Sequence, residues 1–83
     1  MIELRLFAAA RETAGRARDT FDAGTGATLG SLLDEARARY GGEFAAVLET
    51  ARVWLNGDEP PEGLQSRLAA GDEVAVLPPV SGG

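Results

Sequence analysis

Eighty-three residues with no cysteine, no histidine and no lysine among eight basic side chains exclude thiol and imidazole catalysis, disulfides, Cys/His zinc sites and Schiff-base lysines. The 45% apolar fraction is that of one small globular domain. A net charge of −5 with arginines dispersed along the chain argues against a nucleic-acid partner and favours docking to a basic protein.

Ile2, Leu4 and Leu6 alternate with Glu3 and Arg5, the period-two pattern of a half-buried strand. Ala8 to Ala14 is helix-prone and closed by Gly15, and Ala17 to Phe21 reads as a weaker second strand. After a break at Gly24-Thr25-Gly26, Thr28 is placed to cap a helix whose apolar face is Leu29, Leu32, Leu33, Ala36 and Tyr40. Gly41-Gly42 ends it, and Phe44, Val47 and Leu48 mark a shorter helix ending near Thr50. Arg52 to Leu55 is a strand running into an Asn56-Gly57 turn, and Asp58 to Pro61 has room for a short edge segment. Leu64 and Leu68 predict a helical turn closed by Ala70-Gly71. Glu73 to Leu77 is the last strand, stopped by Pro78-Pro79 because proline cannot donate to a ladder.

A domain this short buries only about 60% of its unfolded-chain surface, which favours one sheet packed on one main helix. The element order matches an α+β, ubiquitin-like β-grasp, with a mixed sheet of four to five strands and the last strand parallel to the first. The expected division is a domain over 1–77 and a flexible, extended tail over 78–83. No apolar run approaches the ~20 residues of a membrane span, and the charges at Glu3 and Arg5 do not fit a signal peptide. A cytoplasmic protein without membrane contact is the expectation.

The tail carries the chemistry. Pro78 and Pro79 impose an extended path, and Gly82-Gly83 lacks Cβ atoms, so it can thread a narrow channel and present a free carboxylate. Other motifs are weaker: the acidic residues Asp58, Glu59 and Glu62 lack the register of a Ca²⁺ loop, so no metal site is expected. Trp54 reads as a core or sheet-face anchor. Gly24-Thr25-Gly26 lacks the Lys-Ser/Thr of a phosphate loop.

Leu6-Phe7-Ala8 with Arg11-Glu12 and Gly15, Val53-Trp54-Leu55-Asn56-Gly57, and Gly71-Asp72-Glu73-Val74-Ala75 before Pro78-Pro79-Val80-Ser81-Gly82-Gly83 run the length of the chain. In these segments it resembles the small subunits of molybdopterin synthase, within the prokaryotic ubiquitin-like sulfur carriers that include the thiamine sulfur carrier. The resemblance implies a non-catalytic, sulfur-donating subunit with no bound cofactor. A ubiquitin-activating-like adenylyltransferase would use ATP on the Gly83 carboxylate. A persulfide protein would supply sulfur for a thiocarboxylate, and Pro78, Pro79, Val80, Ser81 and Gly82 would enter the large synthase subunit. There the sulfur would pass to cyclic pyranopterin monophosphate. Phe7 falls on the strand face opposite Leu4 and Leu6, and Leu77, on a last strand parallel to the first, would emerge beside it in an exposed apolar patch. The resemblance implies that this face docks the large subunit, in a heterotetramer of two small and two large subunits. One departure is Asp58-Glu59-Pro60-Pro61, where relatives often carry an apolar residue of that contact. Conjugation of Gly83 to other proteins, or service to another sulfur pathway, are the alternatives.

Overall fold

The computed structural model describes residues 1–79. Strands β1 (Ile2–Leu6), β2 (Arg18–Phe21), β3 (Arg52–Leu55) and β4 (Glu73–Leu77) form one mixed sheet in the order β2-β1-β4-β3. The first pair is antiparallel, β1 and β4 are parallel, and β3 returns antiparallel to β4. This is the expected β-grasp, and its last strand lies in the interior of the sheet beside the first.

Alternation decides which residues face inward. Ile2, Leu4 and Leu6 on β1 and Val74 and Val76 on β4 are fully or almost fully buried. Helices α1 (Ala8–Ala14), α2 (Leu29–Tyr40) and α3 (Gly42–Thr50) cover this side, supplying Ala10, then Leu29, Leu32, Leu33 and Ala36, then Phe44 and Leu48. The main helix starts as its sequence requires. Thr28 Oγ1 accepts from the Ser31 amide at 3.2 Å, and Ser31 Oγ accepts from the Thr28 amide at 2.9 Å, a reciprocal cap. At Gly41, φ is +99°, so this glycine allows the chain to leave α2 and enter α3 at once.

Two expectations change. The segment Asp58 to Pro61 contracts to a single bridge between Leu55 and Asp58, because the Asn56-Gly57 turn closes there and Pro60 and Pro61 have no amide to extend a ladder. The helical turn expected from Leu64 to Leu68 is one 3₁₀ turn, Gly63–Gln65, and Leu68 lies beyond it. The Leu68 amide instead donates to the Ala27 carbonyl at 3.0 Å, which draws the segment alongside the start of α2 and buries the Leu68 side chain. Leu64 is left 60% exposed. Between them, buried Ser66 accepts from the Glu62 amide through its hydroxyl and from the Leu29 amide through its carbonyl, both at 2.9 Å.

Among the described residues, no helix is long and apolar enough to cross a membrane, and no group of three or more potential metal ligands occurs.

Candidate functional site

With the helices on one side, the other side of the sheet is open. Its residues follow from the register. Glu3 and Arg5 of β1 stand beside Thr20 and Arg18 of β2, and beside Glu73 and Ala75 of β4. Ala75 and Leu77 of β4 stand beside Trp54 and Arg52 of β3.

The tail leaves this surface at a defined place. Because β4 is an interior strand parallel to β1, both end at the same edge, where β1 runs into Phe7 and β4 into Pro78. The Phe7 amide donates to the Val76 carbonyl at 3.2 Å, so the pairing continues one residue past β1 and sets Phe7 level with Leu77. Phe7 is extended (φ −124°, ψ 153°) and 37% exposed, and Leu77 is half-buried. The two residues expected to form the contact are thus brought together beside the tail. Immediately after Phe7, Ala8 takes φ +50°, a left-handed conformation that a residue with a Cβ adopts at a cost. That strained residue turns the chain from strand into α1 and stands next to the most exposed aromatic ring of the patch.

Pro78 is buried and Pro79 exposed. Val80, Ser81, Gly82 and Gly83, on which the tail chemistry was placed, lie outside the described residues.

Trp54 takes the sheet-face place, one of the two expected for it, but the cleft around it and the grouping of arginines were not foreseen. Trp54, half-buried, lines a shallow cleft of about 220 Å³ with Arg52, Val53, Glu59 and Pro60. The Asp58-Glu59-Pro60-Pro61 loop thus places both Glu59 and Pro60 in the same cleft as Trp54. The other unforeseen feature is a set of three of the eight arginines, far apart in sequence but together on one face. Arg5, Arg18 and Arg52 share the open face, and the Arg5 guanidinium lies 5.7 Å from the Phe7 ring centroid. The face around the tail is apolar with a basic border, and does not match the expectation of a surface suited to a basic partner. Period two alone places Arg5 outward; Arg18 and Arg52 join it only once strand pairing is known.

The last strand thus leaves the sheet beside an apolar patch formed by Phe7 and Leu77. A ThiS family model matches residues 4–83. The chain is 37% identical over 82 residues to a molybdopterin synthase sulfur carrier subunit of Chlamydomonas reinhardtii, covering 99% of this chain and 98% of that protein. It is 34% identical over 90 residues to small archaeal modifier protein 3 of Haloferax volcanii, again covering 99% and 98%. The crystal structure of SAMP1 from Haloferax volcanii superimposes with a TM-score of 0.86 at 34% identity, over 99% of this chain and 98% of that one. With the β-grasp fold and a family match over nearly its whole length, the chain belongs to the ThiS family.

Proposed function

We propose that this protein is a sulfur carrier, the small subunit of a molybdopterin synthase, and that its working group is the Gly83 carboxylate. The observation that carries the reading is the exit of interior strand β4 beside the Phe7 and Leu77 patch, with the sequence continuing to Gly82-Gly83. Its full-length similarity to a sulfur carrier subunit supports the pathway.

The carboxylate is a poor acylating group until its oxygen becomes part of a good leaving group. In a partner adenylyltransferase it would attack the α-phosphorus of ATP, releasing pyrophosphate and giving an acyl-adenylate. A persulfide sulfur would then displace AMP, and a thiol would cleave the resulting acyl disulfide, leaving the thiocarboxylate and a new disulfide. In the large synthase subunit the thiocarboxylate sulfur would displace an oxygen substituent from a carbon of cyclic pyranopterin monophosphate. Water would then cleave the resulting thioester, leaving the sulfur on the pterin and returning the tail as a carboxylate. Two charged carriers supply one dithiolene, and two small with two large subunits make the assembly. This chain contributes the sulfur and the docking energy; the acid-base groups belong to its partners.

The resemblance to small archaeal modifier protein 3 favours a second reading, in which Gly83 is joined to amines of other proteins. Both readings share the adenylate. Intact mass after incubation with the adenylyltransferase of the same genome, ATP and a sulfur source decides between them. Exchange of one oxygen for sulfur at the terminus supports the carrier. Lysate adducts that require Gly83, without such exchange, support the modifier; no change in either assay overturns both.

A further inference from the structure

The open sheet face holds an arrangement that the fold itself does not need. Arg5 and Arg18 are direct cross-strand neighbours in the antiparallel β1–β2 pair, and like charges in that position destabilise a sheet. Arg52 adds a third guanidinium on the same face, beside Leu77. Of the three, Arg5 has Glu73 at 3.8 Å, a long and exposed contact. Among the described residues, Arg18 and Arg52 have no acidic partner in ion-pair range. Of the acids of the face, Glu3 and Glu73 sit at the end away from the tail and the arginines sit toward it, while Glu59 lines the cleft beside Arg52 without coming into ion-pair range of it. A chain with 13 acidic and 8 basic residues thus keeps a basic border where its last strand exits.

We propose that Arg5, Arg18 and Arg52 select the tail's partner by meeting carboxylates on a protein surface whose centre is apolar and whose rim is acidic. The apolar centre covers Phe7, Ala75, Leu77 and Trp54. The rim pairs with the arginines and relieves the Arg5–Arg18 repulsion, so the energy withheld in the free carrier is returned on docking. Such charges act mainly on encounter and discrimination, and their effect falls as salt screens them. Arginine suits the role because its planar fork takes a carboxylate with two parallel hydrogen bonds.

The inference rests on the tail reading above, and its test separates the two. The probe is the ATP-dependent adenylyltransferase of the same genome, with pyrophosphate exchange as the readout. Exchange with the unaltered carrier establishes the tail reading independently of the arginines. A carrier with Arg5→Glu, Arg18→Glu and Arg52→Glu is expected to raise KM at least about ten-fold at low salt with kcat little changed. The unaltered carrier is expected to show KM rising with salt. Arg37→Glu, on the exposed side of α2, is expected to leave KM within about two-fold. The triple Arg→Lys variant, which keeps the charge, is expected to recover most of the loss, and thermal melting of every variant separates docking from folding. A salt-independent KM, or a triple Glu variant that melts normally and keeps its KM, overturns the proposal while leaving the carrier reading intact.

Discussion

The Tyr40 hydroxyl donates to Asp19 Oδ2 at 2.6 Å, tying the last residue of α2 to the edge strand β2. Arg39 adds a second tie to the same oxygen at 2.9 Å, reaches the Thr20 carbonyl at 3.1 Å, and lays its guanidinium 3.8 Å from the Phe21 ring centroid. Edge strand β2 has only one sheet neighbour, and this cluster, together with the buried Phe21 side chain, attaches it to the helical layer.

Asp19 makes stability depend on acid. Burial alone raises its pKa, but hydrogen bonds from Tyr40, Arg39 and the Thr20 amide, with the Arg39 charge, outweigh this and lower it from 3.8 to about 2. A carboxylate with a depressed folded pKa stabilises the fold above its unfolded value, and that contribution is lost as pH falls from about 4 toward 2. The side chain is 13% exposed, so the shift corresponds to about 2 kcal/mol at neutral pH. Asp19→Asn is expected to lower urea stability by about 1 to 3 kcal/mol at pH 7, with the gap closing below pH 3. An equal gap at both pH values would refute the assignment. At the alkaline end, burial and the Asp19 contact raise the Tyr40 pKa from 10.0, so the tyrosine's contribution fades as pH climbs past that value.

Asn56 holds the β3 turn through both its backbone and its side chain. Its φ of +52° is followed by +82° at Gly57, the left-handed pair of a tight hairpin turn. The side chain accepts from the Glu73 amide at 2.9 Å and donates to Asp72 at 3.1 Å, fixing the start of β4. Asn56→Gly keeps the conformation and loses the bonds, at an expected cost of about 1 kcal/mol. Asn56→Ala loses both, at about 2 kcal/mol. Equal costs in urea unfolding would mean that the turn stores no conformational preference.

The fold was legible wherever one side of an element faces a core. Alternation at Ile2, Leu4 and Leu6 and the three-four spacing from Leu29 to Ala36 report burial directly, so strands and helices followed from residue type. The segment from Asp58 to Leu68 was read less well. Its course is decided by backbone bonds such as Leu68 to Ala27 and by the buried Ser66 hydroxyl, and neither leaves a periodic trace. The site divides in the same way. Phe7 and Leu77 were found because each adjoins a strand end near the tail, whereas Arg5, Arg18 and Arg52 lie 13 or more positions apart and meet only through pairing of β1, β2, β4 and β3.

Phe7 is the apolar anchor of the docking patch. It is 37% exposed and its side chain makes no cap bond to α1, so truncation leaves the backbone entry to the helix in place. Phe7→Ala is expected to move the melting temperature by less than about 5 °C. Aromatic anchors in a contact of this kind contribute about 2 kcal/mol or more, so KM for the carrier in pyrophosphate exchange should rise about 30-fold. A large loss of stability with unchanged KM would assign the ring to the core instead.

Removing Gly83 tests the separation of folding from chemistry. Each core residue named above lies between Ile2 and Val76, and the sheet closes at Leu77, so the packing energy resides in segments that the deletion does not touch. The melting temperature of the truncated chain should stay within about 3 °C of the full chain. Adenylation and sulfur incorporation should both vanish, because a carboxylate one residue short stops about 3.5 Å from the phosphorus it must reach, and proximity at that scale governs the rate. Adding a residue after Gly83 should have the same effect from the opposite side, with Cβ-bearing residues blocking more strongly than glycine. Sulfur incorporation that survives either change, read by intact mass, would place the reactive group somewhere other than the Gly83 carboxylate.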